Sequence, residues 1–348
     1  MTLRSRASLS FLALSVGLAL LSVWLHATWT QQRLERLSAL PLTAPFEDIQ
    51  ERTVLQFLAA DGYAWLRQAR DMVADGRTRL QFTHADNAPE GRAVAWSSGF
   101  AWWLAALKHL HVATSAASDA RAWSWAAVWA NPLLLLLALG TVSALLVRPF
   151  GARAAGLAPL AMLGCRLFYE GFLPGYPDHH GLIALASLGT LLGLLRAADG
   201  AERARGAVCA SAFCGATGLW LSAVSQVPLL LAVGLAALAT ARLAEGETGE
   251  RDARSWALWG RWGAGFTLGY YLLEHVPGQL GMQLPANHPL HALAWFGGGE
   301  VLAVLTRRLA REASARAGDG ARLALGAGCL LALPAAILLG PASWWSLS

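Results

Sequence analysis

The chain has 348 residues, of which 55% are hydrophobic and 14% charged, with a formal net charge of +5. A mean hydropathy of +0.43 over that length excludes a soluble domain and marks an all-α integral membrane protein. The basic residues stand in short clusters between apolar runs, without interleaved aromatics, so they read as topology signals and not as a nucleic-acid surface.

The N-terminus carries Arg4 and Arg6, followed by an apolar run from Leu9 to Leu25. No small-x-small cleavage site follows, since His26-Ala27-Thr28-Trp29 lacks one. Residues 1–29 are therefore expected to form a retained signal-anchor helix with a cytoplasmic N-terminus. Residues 30–121 form a long polar stretch whose aromatics predict ordered surface helices in a first outer loop. Within it, Asp61-Gly62 precedes a helical pattern that starts at Tyr63 and sets Arg67 and Arg70 at i and i+3 on one face. Asp61 there either caps the helix or offers its carboxylate to a ligand.

Farther along the loop, Arg92 and Trp96 belong to a polar turn leading to Phe100, Trp102 and Trp103. A guanidinium suits a phosphate and an indole suits a sugar ring. The equal alternative is a surface loop anchored by interfacial tryptophans. His84 reads as an ordinary loop residue.

Residues 122–348 hold eight further apolar segments, near 123–147, 153–169, 180–196, 206–222, 226–243, 256–273, 289–306 and 323–341. Each approaches the ~20 residues that a spanning helix needs, which gives a single polytopic domain of about nine helices over 1–348. Arginine placement orients it. Arg148, Arg153, Arg196, Arg203, Arg205, Arg242, Arg251, Arg254, Arg261 and the run Arg307, Arg308, Arg311, Arg316, Arg322 all fall on the side of Arg4 and Arg6. The short loops on the opposite side carry none, unless Arg166 at a helix end is counted. The expected topology has the N-terminus cytoplasmic and the C-terminus outside, in a plasma (inner) membrane. The first loop and the turn before residue 180 then share the outer face.

That turn is Gly175-Tyr176-Pro177-Asp178-His179-His180-Gly181, set between two apolar runs. An acid and two imidazoles are costly in hydrocarbon, so they belong at the water boundary facing something they bind. Asp178 and His180 are at i and i+2, which in an extended turn puts both side chains on one side, where they can share a divalent cation. Their donor types suit Mn²⁺, Zn²⁺ or, less comfortably, Mg²⁺. The alternative is a helix cap, which accounts for Asp178 but for neither imidazole.

Asp61-Gly62-Tyr63 running into Leu66-Arg67-x-x-Arg70, then Asp178-x-His180, resembles the membrane part of oligosaccharyltransferase catalytic subunits. These are GT-C glycosyltransferases that use polyprenyl-phosphate donors. The resemblance implies a GT-C-like fold and a sugar or oligosaccharide transferred on the outer face to a protein or glycan acceptor. It also implies a divalent metal (Mn²⁺ or Mg²⁺) at Asp61, Asp178 and His180, with Asp61 also contacting the acceptor and Asp178 acting beside it in catalysis. Tyr63, Arg67, Arg70, Arg92, Trp96 and His179 fall where substrate would lie.

The family continues into a later outer-loop Glu and a soluble domain bearing Trp-Trp-Asp-Tyr-Gly. Here Trp344-Trp345 lacks the Asp-Tyr-Gly and reads as an interfacial anchor. The expectation is a short form, or one completed by a partner subunit. Glu274 and His288, bracketing a loop on the expected outer face, are the residues placed to stand in for the missing Glu and to contact substrate.

The remaining features have plainer readings. Ser222, Ser225 and Gln226 satisfy backbone in a tight turn. Glu300 and Arg166 pair within the bundle or snorkel. The Arg307–Arg322 run is a topology signal that touches membrane lipids. Cys165, Cys209, Cys214 and Cys329 show no paired spacing and read as small apolar residues. A transporter would scatter ionisable groups through helix centres and repeat itself, which this chain does not do. An accessory subunit of a glycan assembly or transport machine, retaining only the donor-binding half, is the alternative to the enzyme.

Overall fold

The computed structural model describes residues 3–38, 61–84, 87, 89–94, 96–198, 204–243, 246–276, 284–310 and 318–341. In chain order the elements are α1 (Leu3–Ser38), α2 (Asp61–Ala74), β1 (Phe82–Thr83), β2 (Arg92–Ala93), α3 (Gly99–Ser115), α4 (Asp119–Gly164), α5 (Arg166–Glu170) and α6 (His180–Ala198). They continue with α7 (Ala204–Leu221), α8 (Ala223–Ala241), α9 (Gly246–His275), α10 (Pro289–Leu309) and α11 (Asp319–Leu339). The fold is the all-α membrane architecture expected from composition. Among the described residues five helices, α1, α4, α6, α8 and α11, are long and apolar enough to cross a membrane. The others mix in charge or small residues: α9 carries Arg251, Arg254 and Arg261, and α10 carries Glu300, Arg307 and Arg308.

The chain divides into two compact units: residues 1–80 with 98–185, and residues 81–97 with 186–348.

In the first unit, α2 buries Trp65, Leu66, Ala69 and Met72, a stripe at i, i+1, i+4 and i+7. That stripe packs on Phe100, Leu104 and Leu107 of α3 and on Trp123 and Ala126 of α4. Trp65 meets Phe100 edge-on at 5.5 Å and 80°. The loop helices expected near the membrane surface are thus built into an apolar core. The anchor helix runs on to Ser38, past its expected end near residue 29. Its added turns are held because Ala27 and Leu34 pack on Val128 and Trp129 of α4.

Helix α4 merges two predicted segments across a kink at Gly151, whose φ of 81° is open mainly to glycine. Pro149, which has no backbone N–H to donate, stands two residues earlier.

In the second unit α9 and α10 touch backbone to backbone. A Cβ on Gly260 would lie 2.8 Å from the Gly299 Cα, so only glycines allow this crossing. The antiparallel hairpin pairs Phe82 with Ala93 and Thr83 with Arg92. Two-residue strands have no period that can be read from sequence. Ser222 caps α8 by accepting the Ser225 N–H at 3.3 Å, as the tight turn requires. Gln226 is fully buried and accepts instead from the Ser187 hydroxyl at 3.2 Å. The four cysteines are free, and Cys165 is exposed, not part of a core. Trp344-Trp345 lies outside the described residues.

Candidate functional site

The turn before α6 is fixed from beneath. Gly175, at φ 72°, turns the chain and donates its N–H to the Val128 carbonyl at 3.2 Å. Asn131 of α4, 1% exposed, donates its Nδ2 to the carbonyls of Tyr176 and, at 3.0 Å, Asp178. Asn131 is not among the residues singled out from sequence. Its signal was available, as an amide inside an apolar segment must find partners or cost several kcal/mol, on the order of 2–7. Gly181 lets the two approach: a Cβ there would stand 2.9 Å from Asn131 Oδ1 and 3.0 Å from the Gly171 carbonyl.

Asp178 is fully buried. Its Oδ1 accepts the His179 backbone N–H and the His179 ring Nδ1, each at 2.6 Å. Its Oδ2 accepts the Tyr176 hydroxyl at 2.7 Å and the His180 Nδ1 at 2.9 Å. None of these is an N–H deeper in α6, so the carboxylate is not a helix cap. Burial alone would raise the Asp178 pKa. The bonds from His179, His180 and Tyr176 outweigh it and hold the carboxyl well below the usual carboxylate range. The Tyr176 hydroxyl is pushed the other way, above the usual phenol range, by burial first and then by its bond to Asp178 and the charges of Asp178 and Asp61.

A carboxylate only accepts, so each imidazole presents a protonated Nδ1 to Asp178 and keeps Nε2 as its other nitrogen. The i and i+2 side chains do share one side, but they meet each other directly. Asp178 stands behind the imidazoles as their orienting acceptor, not at the front of the turn as an open ligand.

Helix α2 brings Asp61 to this turn. A Cβ on Gly62 would lie 3.2 Å from Pro177 Cδ, so the start of α2 packs flush on the turn. One helical turn on, Trp65 faces the His179 ring at 5.0 Å and 46°. Asp61 itself is exposed, and its charge is felt by both Tyr176 and His180. Two motifs more than a hundred residues apart in sequence thus meet within the first unit.

The donor types fit a divalent ion. Asp61 offers an exposed carboxylate, and the His180 side chain, 51% exposed, has Nε2 to offer. Asp178 has the place of the acceptor that commonly backs a ligating histidine. Among the described residues no three His, Cys, Asp or Glu side chains converge as a metal-holding group. Each Asp178 oxygen accepts two hydrogen bonds here, from His179 on Oδ1 and from Tyr176 and His180 on Oδ2.

The other predicted residues divide between the units. Tyr63 is half-buried, Arg67 exposed and Arg70 half-buried along α2, while His179 is buried against Trp65. Arg92 and Trp96, both exposed, belong to the second unit. So does Glu274, 7% exposed, whose Oε2 accepts the Trp220 Nε1 at 2.9 Å and whose carbonyl accepts Gln81 Nε2 at 3.2 Å. His288 is buried at the start of α10, where its Nδ1 accepts the Leu290 N–H at 3.1 Å. Burial, and then the nearby His275, lower its pKa.

No family model matches the chain, and no curated protein does. Solved structures do. The oligosaccharyltransferase of Archaeoglobus fulgidus, in complex with Zn and sulfate, aligns at a TM-score of 0.57 with 16% identity, over 80% of this chain and 35% of that one. The oligosaccharyltransferase AglB from the same organism, with an inhibitory peptide and a dolichol-phosphate, aligns at 0.57 with 15% identity, over 93% and 38%. The form tethered to an acceptor peptide with the NVT sequon aligns at 0.58 with 14% identity, over 92% and 38%. The chain has an oligosaccharyltransferase-like, GT-C fold. It spans just over a third of the length of the structures it matches.

Proposed function

We propose that this protein is a membrane glycosyltransferase that moves a sugar or oligosaccharide from a polyprenyl-(di)phosphate donor to a protein or glycan acceptor. The observation that carries the reading is the packing of the Asp61 end of α2 on the Tyr176–His180 turn, within a fold shared with oligosaccharyltransferases. Solved structures of that fold contain dolichol-phosphate and an acceptor peptide, which supports a lipid-linked donor and a peptide-like acceptor here.

Asp61 and His180 Nε2 would hold a divalent ion, Mn²⁺ or Mg²⁺, with remaining positions left to water and donor phosphate. Such an ion would neutralise charge on the departing phosphate. The chain's own residues do the positioning. Asp178 fixes both imidazoles in one tautomer and one orientation. Asp61, exposed at the start of α2, is placed to accept a proton or hydrogen bond from an acceptor amide or hydroxyl. Arg67 and Arg70 supply guanidinium groups for phosphate oxygens, and Tyr63 an edge for the sugar. The arginine pattern supports an N-terminus in the cytoplasm and the site on the outer face of a plasma (inner) membrane. A partner subunit is proposed to supply the acceptor-recognition part.

The test is transfer from a synthetic polyprenyl-diphosphate oligosaccharide to a labelled acceptor, by the purified chain with Mn²⁺ and a membrane extract supplying partners. Transfer that depends on this chain and drops at least 100-fold in Asp61→Asn supports the reading. Undiminished transfer by Asp61→Asn overturns it.

A further inference from the structure

A polar cavity lies wholly within the second unit, apart from the Asp61 and Asp178 site. Its volume is about 680 Å³, and Arg205 of α7, Arg254 and Arg261 of α9, Arg307 of α10 and Arg322 of α11 line it. Glu300 accepts from Arg261 Nη2 at 2.9 Å and from Arg322 Nε at 2.9 Å, while Asp319 accepts from Arg307 Nη2 at 2.7 Å. Three of the five arginines pair with these two carboxylates, and Arg205 and Arg254 add two further positive charges to the same lining.

Two of the five, Arg205 and Arg254, are exposed and carry no ion pair among the described residues. Arg307 gives the stronger signal. It is 2% exposed, and its Nε is a buried donor without a partner. A guanidinium held dry with one donor unspent is set for an acceptor that arrives from outside the protein.

The position in the bundle selects the ligand. Arg205 and Arg322 lie in the first turns of α7 and α11, and Arg307 in the last turn of α10. Those are helix ends, while Arg254 and Arg261 lie along α9; the ends of spanning helices reach the headgroup layer. The wall beside the arginines is apolar, made by Leu258 and Trp262. Charge at headgroup depth next to an apolar wall suits a phosphate that carries acyl chains.

We propose that this cavity is a binding site for the phosphate of an anionic phospholipid headgroup. It makes the general lipid contact expected of the Arg307–Arg322 run into a defined pocket that draws on four helices. The inference needs only the membrane setting and stands apart from the transfer reaction.

Native mass spectrometry of the full chain released from micelles tests it, with phosphatidylglycerol, phosphatidylcholine and inorganic phosphate titrated separately. Phosphatidylglycerol is expected to bind and phosphatidylcholine to dissociate. The double variant Arg205→Gln/Arg254→Gln should weaken phosphatidylglycerol about 25-fold, at about five-fold per arginine facing an anionic lipid. Both positions are exposed, so folding is expected to survive, and Arg205→Lys/Arg254→Lys should recover most of the affinity. Inorganic phosphate competing only at millimolar concentration supports a lipid source. Inorganic phosphate binding as tightly as the lipid overturns the lipid assignment in favour of a soluble phosphate compound. Equal retention of the two lipids, or unchanged phosphatidylglycerol binding by the Gln variant, overturns the site altogether.

Discussion

Each unit buries carboxylates among donors, and the two assemble those clusters in opposite ways. Asp178 gathers Tyr176, His179 and His180, all within two residues of it, on one turn. Glu300 and Asp319 accept from arginines on other helices, so these bonds form only as α9, α10 and α11 pack. The first cluster is a local device that a turn of fixed sequence delivers to its neighbours. The second is a product of tertiary structure, and its charges also act as clamps between helices. The contrast teaches what each cluster is suited to. A locally wired turn can present a reactive group with constant geometry, whereas an interhelical clamp joins binding to the packing of the bundle.

The comparison breaks most visibly at Arg307. Arg307→Met leaves the Asp319 carboxylate, 3% exposed, without its cation. The expected cost is about 3–5 kcal/mol, read as a lowered unfolding midpoint in detergent. The double variant Arg307→Met/Asp319→Leu should regain most of that loss, because a buried pair replaced by apolar groups is close to neutral. No regain would mean that the clamp contributes through something other than its charges.

Asp178→Asn should cost less, roughly 2–3 kcal/mol, by leaving buried donors without a good acceptor. It also carries a pH signature. The folded-state pKa is depressed, so the stabilisation is fully present above the unfolded carboxyl value near ~3.9 and is lost as pH falls below it. Acid titration of unfolding should show wild type losing stability in that window and Asp178→Asn losing less of it. Equal acid sensitivity would remove Asp178 as the anchor of the turn.

Gly181→Ala probes the seat of the turn and should cost about 1–3 kcal/mol, since its Cβ would press on Asn131 and the Gly171 carbonyl. Tyr176→Phe is the mildest change. Losing one hydroxyl bond should cost about 0.5–1.5 kcal/mol, because the two imidazoles remain to hold Asp178. A Tyr176→Phe loss larger than that of Asp178→Asn would invert the hierarchy of the turn.

The same contrast explains what could be read from sequence. The spacing Asp178-x-His180 is local, so its chemistry was legible, as were the apolar segments that became helices. The pairing of Asp61 with the turn came only from a family resemblance, because nothing local dictates that Gly62 should lie against Pro177. The direct bond between Asp178 and His180 was not foreseen, since the i and i+2 pattern places side chains on one side without saying whether they face an ion or each other. Asn131 was overlooked as one amide in a hydrophobic run. Glu300 was expected to pair, but Arg261 as a partner depends on the Gly260–Gly299 crossing and Arg322 on the close contact of Gly297 with Gly326, which are facts of packing.

The central claim is that the start of α2 and the Asp178 turn act as one divalent-metal site that meets a lipid phosphate. Electron paramagnetic resonance of Mn²⁺ added to the purified chain tests it most directly. The account predicts a bound Mn²⁺ signal that is lost in both Asp61→Asn and His180→Ala and broadens when a polyprenyl phosphate is added to wild type. A signal unchanged by either substitution, or indifferent to the phosphate, would contradict it.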